Sequence, residues 1–248
     1  MAKCPICGKE YINYTAEDQT NILEIFTNDP NLVVKMCYFH NFNYCPNCAI
    51  TEMNYTPEQV EILKSKQESL HKILSDDNFK LLDNKNYFRL CELSGYCGEL
   101  IDDHDKACLG YMAAVDILDN QLLKFIKEHD TNKENNNQEG KLLMPKLGPE
   151  DYMLFTAGAE KVNFLNRLVL GHASKAINQK HSVAVNFALV RTLATFNDFE
   201  GARNVLNLVN EQIKDKGEPF GTIVKVLGEE IDRAQKTYET VQNMSNEE

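Results

Sequence analysis

The sequence predicts a mainly α-helical protein in two parts: a small, thiol-rich module over residues 1–56 and an α-helical bundle or solenoid of hairpins over residues 57–248. Three observations carry that expectation. Cysteines pair as Cys4-Pro5-Ile6-Cys7 and Cys45-Pro46-Asn47-Cys48 close to the N-terminus. From Thr56 onward, apolar residues recur at helical spacing behind local start signals. Residues 182–219 then read as two apolar-faced helices joined by a tight turn.

Each cysteine pair places two soft ligands at the spacing that a tight turn wraps around one ion. The two together predict a four-thiolate zinc site made of Cys4, Cys7, Cys45 and Cys48. A lone C-x-x-C could be a redox dithiol, but two of them, each with Pro after the first Cys, fit a zinc ribbon better. Pro5 and Pro46 stiffen the turns, and Gly8 tolerates a positive φ that lets backbone amides point at the thiolates. Ala49 stands at the equivalent place in the second pair. Residues 8–44 separate the pairs, against about 15–20 residues in a compact site, so this insert must form structure of its own. Four sulfurs leave no vacant position on the ion, which makes the expected site structural and not catalytic. Cys37 and His40 form a C-x2-H pair inside the insert that could replace one knuckle or hold another ion. The plainer reading makes residues 32–44, aromatic and β-branched, a strand leading to the second knuckle.

Composition limits the remainder. With 248 residues and 43% apolar content the chain can bury a real core, and it has no run of 18 apolar residues. It opens on the cysteine motif without a signal-peptide pattern, so no membrane association is expected. Eight cysteines, half of them in C-x-x-C pairs, suggest a reducing compartment, with the cytoplasm as the default. The net charge of −11 opposes a phosphate backbone as partner. Within residues 1–56, Lys3, Lys9 and Lys35 face Glu10, Glu17, Asp18, Glu24, Asp29 and Glu52, so no basic face exists there either and no nucleic-acid partner is expected.

The helical elements follow in order. Thr56-Pro57-Glu58-Gln59 combines a hydroxyl N-cap, Pro at the first helical position and a capping-box Gln. Val60, Leu63, Leu70, Ile73 and Leu74 extend that start into one helix of roughly twenty residues, a spacer and lid for the thiol-rich module. Two more helices are expected over about 86–98 and 104–129, interrupted by Gly95 and Gly98 and capped by Asp102 or Asp103. Residues 130–141 contain no apolar side chain and read as a surface loop. Gly148-Pro149 starts a helix running to about 178, with Glu150 and Asp151 at its positive end. A final helix is expected over about 219–242.

Further ligand candidates lie in the body. Cys91, Cys97, His104 and Cys108 invite a second metal site, since His104 and Cys108 share a helix face; the simpler reading makes Cys91 and Cys108 small core residues. The run Asp102-Asp103-His104-Asp105 reads first as helix capping.

In residues 182–219, Asn197-Asp198-Phe199-Glu200-Gly201-Ala202 resembles the inter-helix turn of a tetratricopeptide repeat, with Ala202 at the close-packing position and Leu206 at the large one. Val190 and Val209 depart from the small residues of that repeat. Joined to the Cys4-Pro5-x-Cys7-Gly8 and Cys45-Pro46-x-Cys48 knuckles, this body is similar to a family of uncharacterised bacterial proteins with a zinc-ribbon-like head and a tetratricopeptide-like body. The resemblance implies architecture and no activity.

Two functional expectations result. The first is a zinc-stabilised helical scaffold that binds a protein or peptide partner through an open groove. The second is a metal-dependent hydrolase-type enzyme using Asp102, Asp103, His104 and Asp105, or His172 and His181. Against it, no G-x-S-x-G, H-E-x-x-H, Walker or G-x-G-x-x-G pattern occurs. A nucleic-acid-associated regulator is a further alternative that the charge opposes.

Overall fold

The computed structural model describes residues 3–14, 42–51, 53–79, 87–129, 146–176, 183–215 and 220–245. It is mainly helical, with a small antiparallel sheet at the N-terminal end. The strands β1 (Ile12–Tyr14), β2 (Phe42–Cys45) and β3 (Ile50–Thr51) lie in sequence order, with Ile12 opposite Tyr44 and Cys45 opposite Ile50. The expected strand over 32–44 is described only in its last part, as β2; the remainder of that stretch and the 130–141 loop lie outside the described residues.

Thr56 caps α1 (Pro57–Ser65) as its sequence predicts. The hydroxyl accepts from the Gln59 amide at 3.3 Å, and the Gln59 side chain accepts from the Thr56 amide at 2.9 Å. The single long helix expected after it is instead two, because the chain breaks at Lys66 (φ −110°, ψ 11°) before α2 (Gln67–Ser75). The break coincides with a tertiary contact: Gln67 donates its side-chain amide to the Cys48 carbonyl at 3.3 Å. Leu63 and Leu70 are both fully buried in the core of the thiol-rich head, worth about 1.5–3 kcal/mol each. These helices therefore cover the head and do not lead away from it.

The next two helices, α3 (Tyr87–Leu100) and α4 (His104–His129), form a tight hairpin. Here the expected interruption at Gly95 and Gly98 does not occur; α3 runs through both. They are the contact surface. A Cβ placed on Gly110 of α4 would lie 2.6 Å from the Gly95 Cα, and one on Gly95 would strike the Tyr111 ring at the same distance. Only hydrogen fits where the two backbones meet.

The body continues with α5 (Pro149–Ala176), α6 (Val183–Thr195), α7 (Phe199–Ile213) and α8 (Phe220–Ser245). α5 lies antiparallel to α4, since His172 meets His104 at one end and Gly158 meets Leu122 towards the other. Two ion networks tie the layers together. Arg89, nearly fully buried, pairs with Glu92 at 2.8 Å and Asp76 at 2.7 Å, and Lys161 of α5 closes on Glu92. Asp116 of α4, equally buried, holds Arg191 of α6 through both oxygens. Such buried pairs are costly to break from one side, because the remaining charge is left without compensation.

Two turns in the body are superimposable in their bonding. In the α3–α4 turn Asp102 takes φ 61°, its amide donates to Glu99 O, the Asp103 amide donates to Gly98 O, and the Asp103 carboxylate accepts from the Lys106 amide. In the α6–α7 turn Asn197 takes φ 62°, its amide donates to Ala194 O, the Asp198 amide donates to Leu193 O, and the Asp198 carboxylate accepts from the Gly201 amide. Each is a left-handed helix stop whose next residue is already the N-cap of the following helix. Ala107 and Ala202 fall at the same step after these caps and are fully buried. The expected hairpin over 182–219 is thus present with Ala202 inside, and a second hairpin of the same construction precedes it.

Candidate metal centre

Both knuckles are turns that aim sulfurs inward. In the first, the Gly8 amide donates to the Cys4 carbonyl at 2.9 Å and the Cys4 amide to the Lys9 carbonyl at 2.8 Å, with Gly8 at φ 71°. In the second, the Cys48 amide donates to the Cys45 carbonyl at 3.3 Å. Ala49 takes φ 48°, so it adopts the left-handed conformation without being glycine. That conformation costs about 1–2 kcal/mol, partly offset by burial of the Ala49 methyl.

The four sulfurs of Cys4, Cys7, Cys45 and Cys48 all lie within 4.8 Å of one another. Cys7 Sγ stands 3.6 Å from Cys45 Sγ. This is far beyond a disulfide bond of about 2.05 Å. It is close to the edge of a tetrahedron of sulfurs around an ion at 2.3 Å, which is about 3.8 Å. The residues present therefore fit a metal ion with a closed four-sulfur shell, and none of the four cysteines is in a disulfide.

The environment separates Cys4, Cys7 and Cys48 by their ease of ionisation. Burial pushes Cys4 up to about 12 and raises Cys48 as well. Cys7, at the rim, is lowered to about 7, chiefly by the backbone amide of Lys9. An ion entering this site meets a ready thiolate at Cys7 and displaces protons from Cys4 and Cys48. Lys9 reaches across to Asn47 of the other knuckle at 3.4 Å, and Asn47 in turn donates to Cys48 Sγ at 3.8 Å, which supplies an outer layer to the sulfurs.

The head does not stand apart. Cys4, Cys45, Cys48 and Ile50 share one apolar cluster with Leu63 and Leu70 of α1 and α2, and with Leu93, Cys97 and Ile101 of the α3 end. Gln59 donates to the Ile101 carbonyl at 3.2 Å, and Tyr55 donates to the Thr51 carbonyl at 2.6 Å.

The other candidates fare differently. Cys37, His40 and His181 lie outside the described residues. Cys91 and Cys108 are buried in an apolar cluster, as expected of small core residues, and Cys97 is buried in the cluster of the head. They form no metal-holding group with His104; among the described residues the four N-terminal cysteines are the set in which three or more such ligands converge. Asp103 caps α4, Asp102 occupies the left-handed turn position, and Asp105 lies in the first turn of α4. One encounter was not legible in the sequence: His104 Nδ1 lies 3.1 Å from His172 Nδ1, with Glu99 and Tyr111 beside them. Glu99 is held below the usual carboxylate range, chiefly by its hydrogen bond from His172.

Among the described residues no helix is long and apolar enough to cross a membrane. No protein-family model matches the chain, and neither a curated protein nor a solved structure matches it.

Proposed function

We propose that this protein is a zinc-stabilised helical scaffold whose tetratricopeptide-like hairpins bind a protein or peptide partner in the cytoplasm. The observation that carries this reading is the recurrence of one hairpin design at α3–α4 and α6–α7, down to the left-handed stop, the aspartate cap and the buried alanine. Such repetition builds extended surface and brings no chemistry of its own. Two further points support it. Four sulfurs close the coordination shell of the ion, which suits zinc in a structural role. The apolar stripe of α8 continues from buried Ile231 to Tyr238, whose ring meets Phe199 at 5.9 Å yet keeps an exposed side, and to exposed Val241, so apolar surface extends outward from the core. The charge of −11 favours a partner with basic or apolar side chains over a nucleic acid.

The test is affinity capture from the source cell, followed by reconstitution of binding with purified components. A purified partner that binds the wild type and is lost on Tyr238→Ser with Val241→Ser supports the scaffold. Tight, salt-resistant binding of duplex or single-stranded nucleic acid would overturn it. The hydrolase reading is favoured by one observation, the meeting of His104 with His172; turnover of a small substrate abolished by His104→Ala would establish it in place of the scaffold.

A further inference from the structure

His104 opens α4 and His172 lies near the end of α5, 68 positions away, yet their Nδ1 atoms stand 3.1 Å apart. Each ring has a carboxylate at its other nitrogen. Glu99 Oε2 is 3.5 Å from His172 Nε2, and Asp102 Oδ1 is 3.4 Å from His104 Nε2. Glu99 is itself fixed by the Tyr111 hydroxyl, which donates to the same oxygen at 2.6 Å. An ionised carboxylate only accepts hydrogen bonds, so the tautomer that suits both carboxylates carries the ring hydrogen on each Nε2. Each Nδ1 is then a bare lone pair. Two bare lone pairs 3.1 Å apart repel unless they share a cation, and an ion about 2.0–2.1 Å from both would sit to one side of the line that joins them.

We propose that His104 and His172 form a second metal site, which binds one borderline divalent transition-metal ion such as Zn2+, Ni2+ or Cu2+ through the two Nδ1 atoms. The separation suits this role: two cis ligands at 2.0–2.1 Å from an ion are about 3.0–3.4 Å apart. Imidazole is the donor these ions favour, and the carboxylates Glu99 and Asp102 take the outer positions that orient ligating histidines. The ion's charge meets Asp102, Asp103 and Asp105 at the start of α4 and Glu99 at the end of α3, with Lys175 as the opposing cation near Glu99. Unlike the four-sulfur shell, two nitrogens leave coordination positions for water or another ligand. His172 is buried, while His104 keeps part of its surface, so the ion enters from the His104 side.

The probe is Ni2+, titrated calorimetrically into the tag-free, full-length protein with its four-cysteine centre already loaded with zinc. The expected result is one Ni2+ per chain at roughly micromolar affinity, with zinc content unchanged. His104→Ala and His104→Gln should each abolish or weaken this binding at least tenfold. Glu99→Gln should weaken it about tenfold, as loss of an outer-shell carboxylate does. Because His172 is buried, its replacement is read only alongside these milder variants. Absence of Ni2+ binding in the wild type would overturn the proposal, leaving a shared proton as the cation between the rings. Binding equal in wild type and in both His104 variants would overturn it too.

Discussion

Ala107 and Ala202 donate their backbone amides to the carbonyls of Asp103 and Asp198 over the same distance, 2.9 Å. Each lies one turn into its helix, where the second helix of a hairpin crosses the first, and neither has exposed surface. A methyl fits this crossing and a larger group separates the helices. Ala202→Leu should cost about 1–3 kcal/mol by overpacking, measured as a shift in the urea midpoint at unchanged slope. Ala107→Leu should cost at least as much, because the Gly98 backbone of α3 approaches the Ala107 amide closely enough that a Cβ there would stand 2.6 Å away.

Elemental analysis of the purified protein should find about one zinc per chain when no second ion is supplied. Chelation, or Cys4→Ser, should remove it and withdraw folding free energy of order 10 kcal/mol from the head. The loss should spread as far as the shared apolar cluster does: amide exchange should accelerate in α1 and α2, while α4 to α8 keep their protection. A head that stays equally protected without metal would contradict this.

Gly8 and Ala49 answer the same backbone demand with different residues. At Gly8 an added Cβ would meet nothing within 4 Å, so Gly8→Ala isolates the backbone cost of the left-handed conformation, about 1–2 kcal/mol. At Ala49 the methyl is buried, so Ala49→Gly should stay within about 1 kcal/mol of wild type, with relief of strain set against lost burial. Zinc-loaded thermal unfolding of both variants gives the comparison.

Glu99 provides a pH signature. Its carboxyl is depressed below 4.5 in the folded state by the hydrogen bond from His172 and then that from Tyr111. The unfolded chain therefore takes up this proton first as pH falls. The contribution is complete above pH 4.5 and is lost as pH drops through the folded value. Glu99→Gln should flatten the acid limb of the stability curve and leave its shape above pH 6 unchanged. An unaltered acid limb would show that Glu99 is not stabilised by its neighbours.

Features set by neighbouring residues were legible in the sequence. The capping box at Thr56, the start at Pro149 and the cap at Asp198 lie where local chemistry puts them. Each cysteine pair carries its own turn, and the repeated C-P-x-C pattern marked the two pairs as partners. Features set by distant residues were not. Nothing at Lys66 breaks a helix by propensity; the break goes with Gln67 reaching the Cys48 carbonyl. Gly95 reads as a weakness in a helix until Gly110 is laid against it. His104 and His172 share no spacing that a single helix or turn could reveal, and Glu99 and Tyr111 gain meaning only beside them.

The shared cluster of the head with Leu93, Cys97 and Ile101 also sets an order of events during synthesis. Cys4 and Cys7 leave the ribosome before Cys45 and Cys48, which arrive only after residues 8–44. The apolar cluster against which they pack is completed later still, by Leu63 of α1, Leu70 of α2 and Leu93 and Cys97 of α3. The head is thus translated early and sealed late. For that interval its thiols are open to oxidants and to competing ions, and a cell growing with little zinc should accumulate chains whose helical body is folded and whose N-terminal end is not.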